Sequence, residues 1–336
     1  MFGAVHFSII GIGDDSIHIS EKFNLKINGH DDINFIDIDE IDDVKLFIDP
    51  YVIQALPDEF CVSARKSIDS FFQEVFRACR EKDNVRLRSI LEHASEPNET
   101  NLGLKHGKYG KGSSNEELSK LFLDFYKIVR KNPYIETNPT SLCMYIKNFD
   151  KDKMSDLITN IIRKYLYDFT MEQSVAWGIE LESNEKLIGY YWDSDNLDWN
   201  SIYGSPLSVG QKDILLVPKY IVRPRYVFSV ESYIRQYILK VIQQDHLDSN
   251  SDMCIPRVRV SGRIDIIPPT IETLYKKEVY GNVRKDYAFY HSVKNKNVEG
   301  IFVKDILRRI KNGYGSITDE RLDEIVYKKN IRSVSI

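Results

Sequence analysis

Cysteine is scarce and spread thin: Cys61, Cys79, Cys143 and Cys254 are the only four in 336 residues, and none forms a CxxC pair. Two of them fall in a segment with helical periodicity. The reading is reduced thiols in a cytosolic protein, with neither a disulfide framework nor a thiolate zinc site. No apolar run approaches the roughly 20 residues that cross a bilayer, so no membrane association is expected. The opening MFGAVHFSIIGIGDD has no basic region and no long apolar stretch, and reads as a strand, not a signal peptide. A GxSxG nucleophile elbow and the catalytic cysteine signatures are absent. The seven histidines, His6, His18, His30, His93, His106, His246 and His291, show no metal-ligand spacing. There is no internal repeat and no low-complexity linker.

What remains is an ordinary globular composition. Hydrophobic residues make up 42% and charged residues 29%, enough for a sizeable core. Aromatics reach 12%, which predicts an aromatic-rich interior. The net charge of −4 hides an asymmetry. Residues 1–60 hold 13 acidic and 3 basic side chains, a balance of −10, so the rest of the chain carries +6. A basic body suits a nucleic-acid surface or a contact with the acidic N-terminal part; two solvated surfaces of opposite sign fit as well.

Periodicity supplies the elements. Residues 4–10, 17–23, 34–41 and 44–48 read as strands, the third half-exposed, and Asp49-Pro50 stops the fourth. Asp58 to Lys82 is the best helix, with Phe60, Ala64, Ile68, Phe71, Phe72, Val75 and Phe76 at three- and four-residue spacing. A shorter helix follows over 83–94. Ser114 and Glu117 form a capping box for a helix to about Lys131. Asp150 or Asp152 caps another to about Trp177, whose polar face aligns Asp152, Asp156, Thr159 and Arg163. Residues 178–200 read as strands and turns, and 213–217 as a buried strand. Ser229 caps a helix over 230–243, and the tail holds two helices, 301–311 and 318–328, the second capped by Thr318.

Between two of these helices lies EPNETNLGLKHGKYGKGSS, residues 96–114. A loop this long inside a domain is usually functional or disordered. Its four glycines let backbone N–H groups turn toward an anion, and Lys105, Lys108 and Lys111 add charge, so it is a candidate phosphate-binding loop. It is not a Walker A loop, because Gly107 to Gly112 is followed by Ser113-Ser114 with no lysine between, and a helix precedes it. Asp49 at a strand end, Glu96 and Glu99 at the loop's start, and Asp152 and Asp156 at a helix start are candidate catalytic carboxylates. Asp49, Glu99 and Asp152 converging on Mg2+ or Mn2+ would suit phosphodiester cleavage, with the lysines on the scissile phosphate. The bland alternative makes Asp152 and Asp156 cap and dipole partners and Glu96 a turn residue. A restriction-type D-x(n)-[ED]-x-K core finds only Asp43-Val44-Lys45, in a stretch so acidic that the match carries little weight. His106 could serve as a base in the loop. Ser155 reads as a first-turn serine bonded to nearby backbone. Lys219 to Arg225 (KYIVRPR) interleaves basic and aromatic groups, as nucleic-acid contacts or as an edge strand with solvated charges.

FIDP at 47–50, EPNETNLGL and GKYGKGSS within 96–114, DKDKMSDLITNII at 150–162 and ILLVPKYIVR at 214–223 together resemble a group of bacterial defence-island (antiphage) proteins. The resemblance runs in order over residues 46–225. It implies a cytoplasmic antiphage component working with a protein partner such as an ATPase subunit, and carries no catalytic residues with it. The expected fold is α/β (α+β): a mixed sheet near the N-terminus, a helical middle and a smaller C-terminal α/β part. The expected regions are 1–140, 141–250 packed on the first as one core, and 251–336. The expected function is a metal-dependent nuclease effector. The alternative is a non-catalytic subunit that binds a partner, DNA or RNA.

Overall fold

The structure, a computed structural model, describes residues 17–39, 43–94, 97, 99–103, 138–147, 149–209 and 212–327, with a few more between 119 and 130. Glu96, Lys105, His106, Lys108 and Lys111 lie outside the described residues, as do the expected strand at 4–10 and most of the expected helix over 114–131.

The fold is α+β. The first half holds α1 (Ile19–Lys22), β1 (Phe47–Ile48), α2 (Pro50–Ala55), α3 (Glu59–Glu81) and α4 (Asn84–Leu91). Residues 17–23 are not the expected strand. The Glu21 carboxylate reaches back to the His18 N–H at 3.3 Å and closes a helical turn, and alternation over so few residues cannot compete with that cap. Nor is 34–41 half-exposed: Phe35 to Asp39 are all buried. Burial is tolerable because Asp37 accepts from Ser20 N–H (2.8 Å), Ser20 Oγ (2.5 Å) and the Tyr327 hydroxyl (3.0 Å). Helix α3 forms as expected. Asp58 caps it by accepting from the Cys61 N–H, and Ala64, Ile68, Phe71, Phe72, Val75 and Phe76 are buried.

The helix expected from Asp150 to Trp177 is two helices, α5 (Lys151–Ile161) and α6 (Arg163–Trp177). Near the break, Thr159 Oγ1 donates to Ser155 O (2.8 Å) and Asn160 Nδ2 to Asp156 O (3.1 Å). Side chains that bond back to carbonyls four residues earlier bend and weaken a helix. Then come β2 (Lys186–Asp193), β3 (Asp198–Gly204), β4 (Leu207–Val209), β5 (Lys212–Ile214) and β6 (Val222–Arg223). Among the described residues no continuous mixed sheet forms. The strands make two-stranded antiparallel pairs, β1 with β6, β2 with β3 and β4 with β5, plus a parallel bridge between Val44 and Leu102. Residues 215–217 are buried as expected but leave the ladder, since Leu215 N–H donates to Glu99 O (2.8 Å) and Leu216 N–H to Thr170 Oγ1 (2.9 Å).

The C-terminal part contains α7 (Val230–Tyr233, continuing through Ile234–Ile238 and Leu239–Asp248), the pair β7 (Ile255–Val258) and β8 (Ile264–Ile267), α8 (Ile271–Leu274 with Tyr275–Val279), α9 (Arg284–Lys294), α10 (Lys296–Lys311) and α11 (Asp319–Val326). Ser229 and Thr318 cap α7 and α11 as expected. Phe302 of α10 lies edge-on to Tyr51 of α2, with ring centroids 6.4 Å apart, and both are buried in one hydrophobic cluster with the phenylalanines of α3. No described helix is long and apolar enough to cross a membrane.

Candidate functional site

The glycine-rich segment is anchored at its root. Residues 99–103 run between two backbone edges. Leu215 N–H donates to Glu99 O, Val44 N–H to Asn101 O (2.8 Å) and Gly103 N–H to Val44 O (3.0 Å). Asn101 Nδ2 donates to Asp39 O (2.7 Å), and the Lys212 ammonium donates to Asn101 Oδ1. The same five residues lie along the polar face of α5. At one end a Cβ on Gly103 (φ +123°) would sit 2.9 Å from Asp152 Oδ1. At the other, Glu99 Oε1 lies 2.8 Å from Arg163 Nη1. Asp152 lies in the first turn of α5, whereas Arg163 opens α6 beyond the break at Ile162, so the two contacts sit near opposite ends of α5.

That placement bears on the carboxylate trio. Glu99 and Asp152 occupy opposite ends of the segment. Asp49 is elsewhere in function: it caps α2, accepting from Tyr51 N–H (3.0 Å) and, from across the fold, Val227 N–H (2.9 Å). It is fully buried, and burial pushes its carboxyl up to about 6. Among the described residues no three His, Cys, Asp or Glu side chains gather as a metal-holding group. Asp49, Glu99 and Asp152 therefore do not form the metal trio expected from the sequence. Asp152 is buried and Asp156 half-buried in the first turns of α5, with Asp150 as the cap. Ser155 accepts from Ile48 N–H at 3.0 Å and ties α5 to β1, a long-range partner in place of the nearby backbone expected from the sequence.

The structure places two cations against the loop root instead, Arg163 on Glu99 and Lys212 on Asn101. Arg163 is 6% exposed. Its Nη2 donates to Asn160 Oδ1 (2.6 Å), but neither Nε nor Nη1 has an aligned acceptor, and Glu99 Oε2 has no hydrogen-bond partner. The contact with Glu99 is thus an ion pair of poor hydrogen-bond geometry. The guanidinium lies over β2 where residue 189 is glycine: a Cβ there would fall 2.8 Å from Arg163 Cδ. Burial holds the Lys212 ammonium below its ordinary range, while Asp43 and Glu99 pull it back up. Tyr190, next to Gly189, stacks on His93 with centroids 3.9 Å apart, and Trp199 meets the His93 ring edge-on. Burial lowers the His93 pKa.

A family model described as a domain of unknown function, DUF8370, matches residues 24–229. The chain belongs to the DUF8370 family. No curated protein and no solved structure matches it. The DUF8370 segment contains every residue of the loop root, from Asp39 to Lys212, and stops at Ser229, the cap of α7. Arg163 was legible as part of the 152–156–159–163 face; Lys212 carried no sequence signal, because only the bond to Asn101 marks it. Of the KYIVRPR stretch, Lys219 turns inward to Asp319 (2.8 Å) and Arg223 is buried, while Arg225 is exposed.

Proposed function

We propose that this DUF8370 protein is a non-catalytic, nucleic-acid-binding component of an antiphage defence complex, with its ligand held at the root of the glycine-rich loop. The observation that carries the reading is that two desolvated cations contact the loop root, Arg163 through Glu99 and Lys212 through Asn101, and that Arg163 lies over Gly189, next to the stacked Tyr190–His93 rings. Cations that track phosphates and rings that stack on bases are the two elements of sequence-tolerant single-strand binding. Glu99 acts as the resting counter-ion of Arg163, which an incoming phosphate replaces. The sequence adds Lys105, Lys108 and Lys111 to the same loop. The defence role and a partner such as an ATPase subunit rest on the resemblance described above.

The test is fluorescence anisotropy with labelled single-stranded DNA and RNA at several salt concentrations. Expected is binding that weakens linearly in log–log form with salt, and that Lys212→Gln and Tyr190→Ala each reduce. No binding of either polymer at low salt would sink the reading. A parallel incubation with plasmid, single-stranded DNA and RNA in Mg2+ or Mn2+, alone and with the neighbouring gene products, distinguishes the nuclease effector: metal-dependent cleavage would replace the non-catalytic reading.

A further inference from the structure

A second basic site lies where the family segment meets the C-terminal part. A cavity of ≈ 470 Å³ is lined by Arg223, Arg225 and Val227 from one side and by Tyr314 to Thr318 and Arg321 from the other. The deepest of its guanidiniums belongs to Arg223, which is 6% exposed. Arg223 Nη1 donates to Tyr220 O (2.9 Å) and Val222 O (2.6 Å), but its Nε is buried with no hydrogen-bond partner. A buried guanidinium with an idle donor costs folding free energy unless an acceptor completes it.

The neighbouring charges leave this corner positive. The acid that pulls on Arg223 is Asp49, and both Asp49 oxygens are already engaged by the backbone N–H groups of Tyr51 and Val227. Arg225 is exposed, and Arg321 pairs with Glu324 one turn along α11. Lys151 lies close enough for Arg225 to depress it electrostatically. The acids on the near side are Asp319, paired with Lys219, and Glu320 in the first turn of α11. The N-terminus of α11, capped by Thr318, opens on the same cavity and adds its dipole.

We propose that this cavity is a binding site for a phosphoryl group, free or on a small phosphomonoester, held by Arg223, Arg225 and Arg321. Planar guanidiniums match phosphate oxygens two at a time, which is why three of them in one recess select phosphate over chloride. The site goes beyond the loop-root reading and does not depend on it. Because one wall comes from residues 223–227 and the other from 314–321, an occupied site would tie the C-terminal part to the core.

Isothermal titration calorimetry of the full chain in chloride buffer tests it, with inorganic phosphate and AMP as ligands. Expected is saturable binding of phosphate that AMP displaces, weakened at least about tenfold by the double variant Arg225→Gln/Arg321→Gln. Lys311→Gln, an exposed charge loss outside the cavity lining, is the control. Arg223→Gln is used only if its circular dichroism matches the parent, and the surface pair decides the matter without it. The proposal is overturned by no saturable heat at millimolar phosphate, by binding that survives the double variant, or by an equal loss in Lys311→Gln.

Discussion

Asp49 is a fully buried carboxyl group, and the forces on its proton show how that is managed. Burial raises the group from 3.8 to about 6, outweighing the three backbone N–H groups (Val227, Tyr51 and Val52) and the charge of Arg223 that favour the ionised form. Between those values the folded chain holds a proton that the unfolded chain releases. Stability from this residue is therefore fully present below about pH 4 and is lost as pH rises through 6, by about 3 kcal/mol at most. Asp49→Asn should flatten the fall in denaturant midpoint between pH 5 and pH 8, and an unchanged slope would refute this account. Arg163 gives a second test at the same scale. Arg163→Gln leaves Glu99 partly buried without its cation and should cost about 2 kcal/mol, reduced from the usual buried-pair figure because Glu99 is partly exposed. Adding Glu99→Gln should recover part of that loss in urea unfolding; strict additivity of the two changes would mean that the residues do not interact.

Among the elements, α5 does the most organising. Its apolar stripe, Met154, Leu157, Ile158 and Ile161, was visible as periodicity, and its polar face was visible too. What covers that face was not: residues 99–103 have no hydrophobic pattern and are placed by bonds to Val44, Asp39 and Leu215. Gly103→Ala forces a side chain into a left-handed backbone and within 2.9 Å of Asp152 Oδ1. It should lower stability by about 2 kcal/mol, read from the thermal midpoint, and weaken nucleic-acid binding with it. Ser155→Ala removes the acceptor for the buried Ile48 N–H and should cost about 1–3 kcal/mol in the same measurement, without touching the loop root.

At the scale of the molecule, the two ends of the described chain are stapled. His30 is fully buried; its Nδ1 lies 2.7 Å from Asp323 Oδ1, and its Nε2 accepts from Asp37 N–H at 3.2 Å, which fixes the Nδ1–H tautomer. Tyr327 closes the network by donating to Asp37 Oδ2. Burial lowers the His30 pKa below 6.5, the reverse of the Asp49 case. Its contribution is present above the unfolded value and is lost as pH falls through 6.5. In an Asp49→Asn background, where the opposing slope is removed, the urea midpoint should drop between pH 7.5 and pH 5.5, and Tyr327→Phe should lower the unfolding free energy at both pH values by about 1 kcal/mol.

The sequence alone determined the α+β class, the long helix α3, the caps at Ser229 and Thr318, and a cap at Asp150 or Asp152, because each depends on local spacing or on one side chain meeting nearby backbone. It misjudged 17–23 and 34–41, where a cap and a buried Asp37 override alternation. Only the tertiary structure decided that Asp49, Glu99 and Asp152 stand apart, and that Lys212 joins Arg163 at the loop root. The reason is physical: a carboxylate reads the same in sequence whether it caps a helix, pairs with an arginine or faces a cleft. Which of these it does is set by partners 50 to 180 residues away, such as Arg163 for Glu99 and Val227 for Asp49.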